Sequence, residues 1–172
     1  KPNEIALVGY SKSSEYEDLT YRSSTSQYID TVMQSGAIKM LVTKLDSTGQ
    51  KKWASYYGNG SSYACLGWSV TNDTKNTYMT GTTYGSFNIG TTNPPGVMNY
   101  TSQLDITSGS AGTGMADGFM LSFDSLNRLV WNTYFGGKYD DASLSLCYNA
   151  PKQRVMITGI TNTPTWQPCC IP

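Results

Sequence analysis

Histidine is absent from this chain, which removes Ser-His-Asp and Cys-His catalysis, imidazole metal ligation and any switch built on an ordinary imidazole titration. Charge is scarce too: 14% of residues are Asp, Glu, Lys or Arg, and 12 cations balance 12 anions. A neutral chain offers no electrostatic footprint for phosphate backbones or anionic headgroups, so nucleic acid is not an expected partner. No stretch approaches the roughly 18 consecutive apolar residues of a spanning helix, so no transmembrane segment is expected. Glu occurs only as Glu4, Glu15 and Glu17. With His missing as well, an acid and base pair held in a pocket is not expected, nor is a cofactor.

What the chain does contain is the vocabulary of strands and turns: 13 Tyr, 17 Gly and abundant Ser, Thr and Asn. Its 172 residues suffice for one domain with a sizeable core. The first apolar run, Ile5 to Val8, starts almost at once with no leader before it, as if a strand had been entered midway, and reads as a processed or incomplete piece.

Residues 41–83 match residues 119–161 without a gap at a step of 78 positions. Identical pairs include Asp46/Asp124, Trp53/Trp131, Tyr56/Tyr134, Gly58/Gly136, Leu66/Leu144 and Gly81/Gly159. Ile5 to Gly9 repeats the last strand a third time. Within a unit, four short strands are expected at Met40 to Leu45, around Trp53 to Tyr57, at Cys65 to Val70 and at Thr77 to Thr82, with their counterparts in the second unit. The first two are joined by Asp46-Ser47-Thr48-Gly49 or Asp124-Ser125-Leu126-Asn127, where Asp bonds forward to the backbone and Gly or Asn accepts a left-handed conformation. Four antiparallel strands per unit suggest one propeller blade.

The order Leu41 to Gly49, Trp53 to Gly58 and Tyr78 to Thr82, met again from Phe119 to Thr161, resembles the bacterial SBBP β-propeller repeat. The resemblance implies an all-β propeller fragment: the last strand of a preceding blade (1–13), an insert loop (14–38), a blade (39–83), a second insert (84–116), a further blade (117–163) and a tail (164–172). The turn before the fourth strand departs from the family, with Asn72 and Lys75 or Ala150 and Gln153 at its usual Asp and Gly positions. The family further implies a secreted or cell-surface setting, on the exterior of the outer membrane, with the remaining blades and domains of the same polypeptide as partners. Non-catalytic scaffolding or adhesion is the expected function, because the repeated residues are those of packing and turns. A carbohydrate-binding or carbohydrate-processing propeller and a component of a surface filament or layer are the alternatives.

Recurring Trp53 and Trp131 read as wedge packing between blades. Aromatics in or near the inserts are the candidate ligand contacts for a protein or glycan: Tyr84, Tyr100 and Trp166 first, then Phe87 and the pair Trp68/Tyr63. Asp140 and Asp141 are weak metal candidates, since no Asp-x-Asp-x-Asp-Gly spacing is present and the solvated-turn reading is preferred. Ser47 and Ser125 sit in an acceptor-like context for bacterial O-glycosylation, but the same residues are good hairpin chemistry and the turn-only reading is preferred. Cys65 and Cys147 read as buried, unbridged residues; Cys169 and Cys170 stay open between a disulfide and free thiols.

Overall fold

A computed structural model describes residues 4–13, 36–58, 64–84, 98–99, 116–136 and 139–162. Antiparallel sheet dominates, with no α-helix among the described residues. The strands are β1 (Glu4–Ser11), β2 (Lys39–Asp46), β3 (Lys51–Tyr57), β4 (Cys65–Asn72), β5 (Asn76–Thr83), β6 (Met98–Asn99), β7 (Asp117–Asp124), β8 (Leu129–Phe135), β9 (Asp141–Asn149) and β10 (Arg154–Thr161). They form three sheets, ordered β1-β2-β3, β4-β5-β7-β8-β6 and β9-β10. The two-residue β6 joins β8 in parallel through Met98 and Asn99. A hairpin expected at Ser86 to Ile89 lies outside the described residues.

The hairpin turns follow the sequence chemistry. Asp46 Oδ1 accepts hydrogen bonds from the Thr48 hydroxyl (2.6 Å) and from the backbone N–H groups of Thr48 (2.9 Å) and Gln50 (3.0 Å). Gly49 takes the left-handed φ of +83° that closes this turn. In the second copy Asp124 Oδ1 accepts from Leu126 (2.8 Å) and Arg128 (2.9 Å), and Asn127 supplies the left-handed residue at φ 60°. Basic side chains complete both turns: Lys52 Nζ lies 2.9 Å from Asp46 Oδ2, and the Arg128 guanidinium 2.6 Å from Asp124 Oδ2.

Sheet partition corrects the expected blades. A unit is not one sheet: its first hairpin, β2-β3, pairs back onto β1, and its second, β4-β5, pairs forward onto β7. The β5-β7 ladder runs from Asn76↔Asp124 to Thr83↔Asp117 without a slip, so the four-stranded meander straddles the boundaries expected at 83 and 117. Extended strands satisfy their backbone groups wherever a partner of matching register is available. Here that partner comes from the next unit.

The alternating faces of β7 serve two interfaces. Phe119 and Phe123 meet the first sheet, with ring centroids 6.4 Å from Tyr57 and 5.3 Å from Trp53. Gly118, on the opposite face, meets Ser143 of β9. Met40, Val42, Trp53, Met79, Phe119, Leu121 and Phe123 belong to one buried cluster between the first two sheets. Trp53 is fully buried there, as the wedge reading expects, whereas its counterpart Trp131 is half-buried.

The uniform step of 78 also needs correction. Thr80 pairs with Ser69, while its counterpart Thr158 pairs with Ser145; Gly81 pairs with Gly67, and Gly159 with Ser143. Third strands therefore step by 76, and the two additional residues of the second unit are taken up in a 3-10 turn, Ala150–Lys152, whose N-cap Asn149 accepts from Lys152 N–H at 3.1 Å. Asp73 plays the equivalent part in the first unit, accepting from Lys75 and Asn76, both at 2.6 Å.

Structurally equivalent positions then exchange volume. Gly67 lies under Val8 and Met40, where a Cβ would come 2.5 and 2.7 Å from their side-chain carbons; at the next interface Ser143 replaces Gly67 and Gly118 replaces Met40. Gly67→Ala should cost about 1–3 kcal/mol by overpacking. Adding Met40→Ala should cost less than the two single losses together, a coupling that a double-mutant cycle of urea unfolding will read.

The turn carboxylates carry a pH dependence of definite sign. The Thr48 hydroxyl and then the Lys52 ammonium hold the Asp46 carboxyl well below the usual range. Burial opposes ionisation of Asp124, but hydrogen bonds from Arg128 and Leu126 outweigh it and its pKa is also lowered. Folded values below the unfolded value of about 3.9 mean that this stabilisation is present above that pH and is lost as pH falls through the folded values. Asp124→Asn should cost on the order of 1 kcal/mol at pH 7 and shrink the loss of stability between pH 5 and about 3, measured by urea unfolding.

Candidate functional site

Residues that break the repeat are better site candidates than residues that obey it, because repeated packing already explains the latter. The clearest break is an aromatic pair at the junction of the first two sheets. Tyr10 of β1 and Trp68 of β4 meet edge to face, with centroids 6.0 Å apart and planes at 73°. They remain 52% and 43% exposed. By strand register the counterparts of Tyr10 and Trp68 at the next junction are Thr82 and Leu144, so no aromatic pair recurs there.

Local structure fixes the ledge. Trp68 is the extra residue of a bulge between Gly67 and Ser69, which turns its side chain out of the regular alternation. Its indole Nε1 donates to Thr82 Oγ1 at 2.9 Å, which anchors the ring without hiding it. Half-exposed rings held at a fixed angle suit the apolar face of a sugar or a flat side chain from a protein partner. Tyr84, 39% exposed, directly follows β5 and donates its backbone N–H to Ala64 O at 2.8 Å. Tyr63, Phe87, Tyr100 and Trp166 lie outside the described residues.

A second departure concerns the ends of the inter-sheet interfaces. Gly58, Lys39 and Cys65 lie together at the first, and Gly136, Asp117 and Asp141 occupy the equivalent positions at the second. All four side chains are buried. Burial pushes the Cys65 thiol up to about 12, against smaller opposing effects of a hydrogen bond from the Met40 backbone and the charge of Lys39. An inert thiol follows, not a nucleophile.

Asp140 acts as a latch: its Oδ1 accepts from Ala116 N–H at 2.8 Å, and its carbonyl accepts from Asn162 N–H at 3.0 Å. Asp141 adds a backbone bond to Ala116 O at 2.6 Å. Among the described residues no group of three or more Cys, Asp or Glu is placed to hold a metal ion. Ser47 and Ser125 are exposed at their hairpin tips. Cys65 is buried as expected, but Cys147 is exposed: the shorter step of the third strands puts it level with Thr71, at the outer end of β9. Both are free thiols, and Cys169 and Cys170 lie outside the described residues.

No protein-family model matches this sequence, and no curated protein matches it significantly.

Iodoacetamide labelling of the native chain with peptide mapping should modify Cys147 within minutes and leave Cys65 protected until denaturant is added. Rapid native labelling of Cys65 would contradict the buried thiol.

Proposed function

We propose that the chain is a non-catalytic, β-propeller-type scaffold and binding module of a larger secreted or cell-surface protein. The observation that carries this reading is the sharing of sheets between units: the second hairpin of one unit pairs with the first hairpin of the next, and successive sheets stack face to face. Units built this way gain their core from neighbours, as propeller blades do. The likeness of 41–83 and 119–161 to the SBBP repeat supports the same architecture and the extracellular setting. What the units hold in common is turn and packing chemistry, with Asp46, Asp124 and Trp53 as its clearest members.

A second reading, carbohydrate binding, is favoured by the Tyr10–Trp68 ledge, which packing does not require and the repeat does not reproduce. A glycan array probed with the intact protein separates the two. Saturable binding to one glycan class, weakened at least tenfold by Trp68→Ala with unfolding unchanged, would establish the lectin reading. Binding to a protein surface with no glycan retained supports the adhesion module. Turnover of any glycan would overturn the non-catalytic reading outright.

A further inference from the structure

We propose that the open side of the third sheet is a seat for one more strand: an extended segment with the pattern of β7, supplied by the first hairpin of a further unit of this repeat. The proposal deepens the scaffold reading and rests on it. It follows from comparing a filled seat with its unfilled copy in the same chain. At the filled seat β5 pairs with β7, and Phe119 packs over Gly81 and beside Tyr57. At the copy, 78 positions on, the counterparts of Gly81 and Tyr57 are Gly159 and Phe135. These two, with Ile157, the counterpart of Met79, line a groove of about 340 Å³.

Three features of the groove match that occupant. Among the described residues nothing pairs with residues 154–160 on the side away from β9, so an antiparallel ladder can form there. Glycine stands at both copies: a Cβ at Gly159 would run into the Ala142 carbonyl, as one at Gly81 would run into Leu66 O, and at the filled seat the same bare position also makes room for the Phe119 ring. Met156 and Ile160 of the same strand are 49% and 63% exposed, and Ile160 also lines the groove. Carried over from β5, the register sets the incoming Phe opposite Gly159, its Leu opposite Ile157 and its second Phe opposite Val155. Cross-strand apolar pairs of this kind are the stabilising unit of a sheet.

The test uses the full chain and a fluorescently labelled peptide of residues 116–136, the β7-β8 hairpin. Saturable one-to-one binding is expected, with hydrogen-exchange protection appearing at 154–160. Affinity should fall at least tenfold when the peptide carries Phe119→Ser, a change that leaves the protein untouched, and likewise when the protein carries Ile157→Glu. A lengthened chain in which a second copy of 84–136 follows Thr161 supplies the same hairpin in cis and should show the same protection with a higher melting temperature. Equal affinity for the Phe119→Ser peptide, or no protection at 154–160 in either arrangement, would overturn the seat. Self-association of the unaltered chain, abolished by Ile157→Glu, would overturn the assigned source and make a second copy the occupant. Neither result bears on glycan turnover, so failure of the seat and failure of the scaffold reading remain distinguishable.

Discussion

The ladder between β5 and β7 is the contact on which the rest of the architecture depends. It joins the second hairpin of one unit to the first hairpin of the next, eight residues against eight with no slip. Once that pairing is made, the period-2 alternation of β7 dictates the remainder: Phe119 and Phe123 must face the first sheet and Gly118 the third. A one-residue slip would turn both phenylalanines away from Trp53 and Tyr57. The stretch from 84 to 116 is then a connection within one sheet, where its length is tolerated because loop-closure entropy grows only slowly with length.

Between the two interfaces facing positions change together. Large over small at Met40 and Gly67 becomes small over small at Gly118 and Ser143. Lys39 with Cys65 becomes Asp117 with Asp141 at the matching interface ends. Close-packed interiors tolerate such exchanges only when the facing position changes with them. A unit is therefore specified by the pair of surfaces it presents, and its residues cannot be assessed one strand at a time.

Strands and hairpins could be read in the sequence because both signals are local. Alternation around Trp53 and the Asp46 and Asp124 turn contacts need nothing beyond a few neighbouring residues. Sheet partition could not be read, since grouping a unit with itself or with its neighbour leaves the same strand pattern, and only backbone pairing across the long insert decides. The third-strand offset was concealed by identities: Ala64/Ala142 and Leu66/Leu144 match at a step of 78, yet the backbone pairs at 76 and the 150–152 turn absorbs the difference. Trp68 was visible as an aromatic near an insert, whereas Tyr10, 58 positions earlier in a strand that looks like core, carried no local mark.

The aromatic ledge inherits its geometry from the packing beneath it. Tyr10 follows Gly9 and Trp68 follows Gly67, and a Cβ at Gly67 would lie 2.8 Å from the Gly9 carbonyl. The bare backbone of Gly67 thus lets β4 approach β1 closely enough for the following rings to meet at 6.0 Å, whereas a Cβ at Gly9 would meet open space. The Thr82 hydroxyl then holds the indole in place, so little side-chain freedom remains to be lost when a partner docks. A side chain at position 67 would push the two sheets apart and open the ledge without touching either ring. The proposed binding surface and the inter-sheet packing are in this way one structural feature, and the glycine that serves the core also sets the spacing of the ledge.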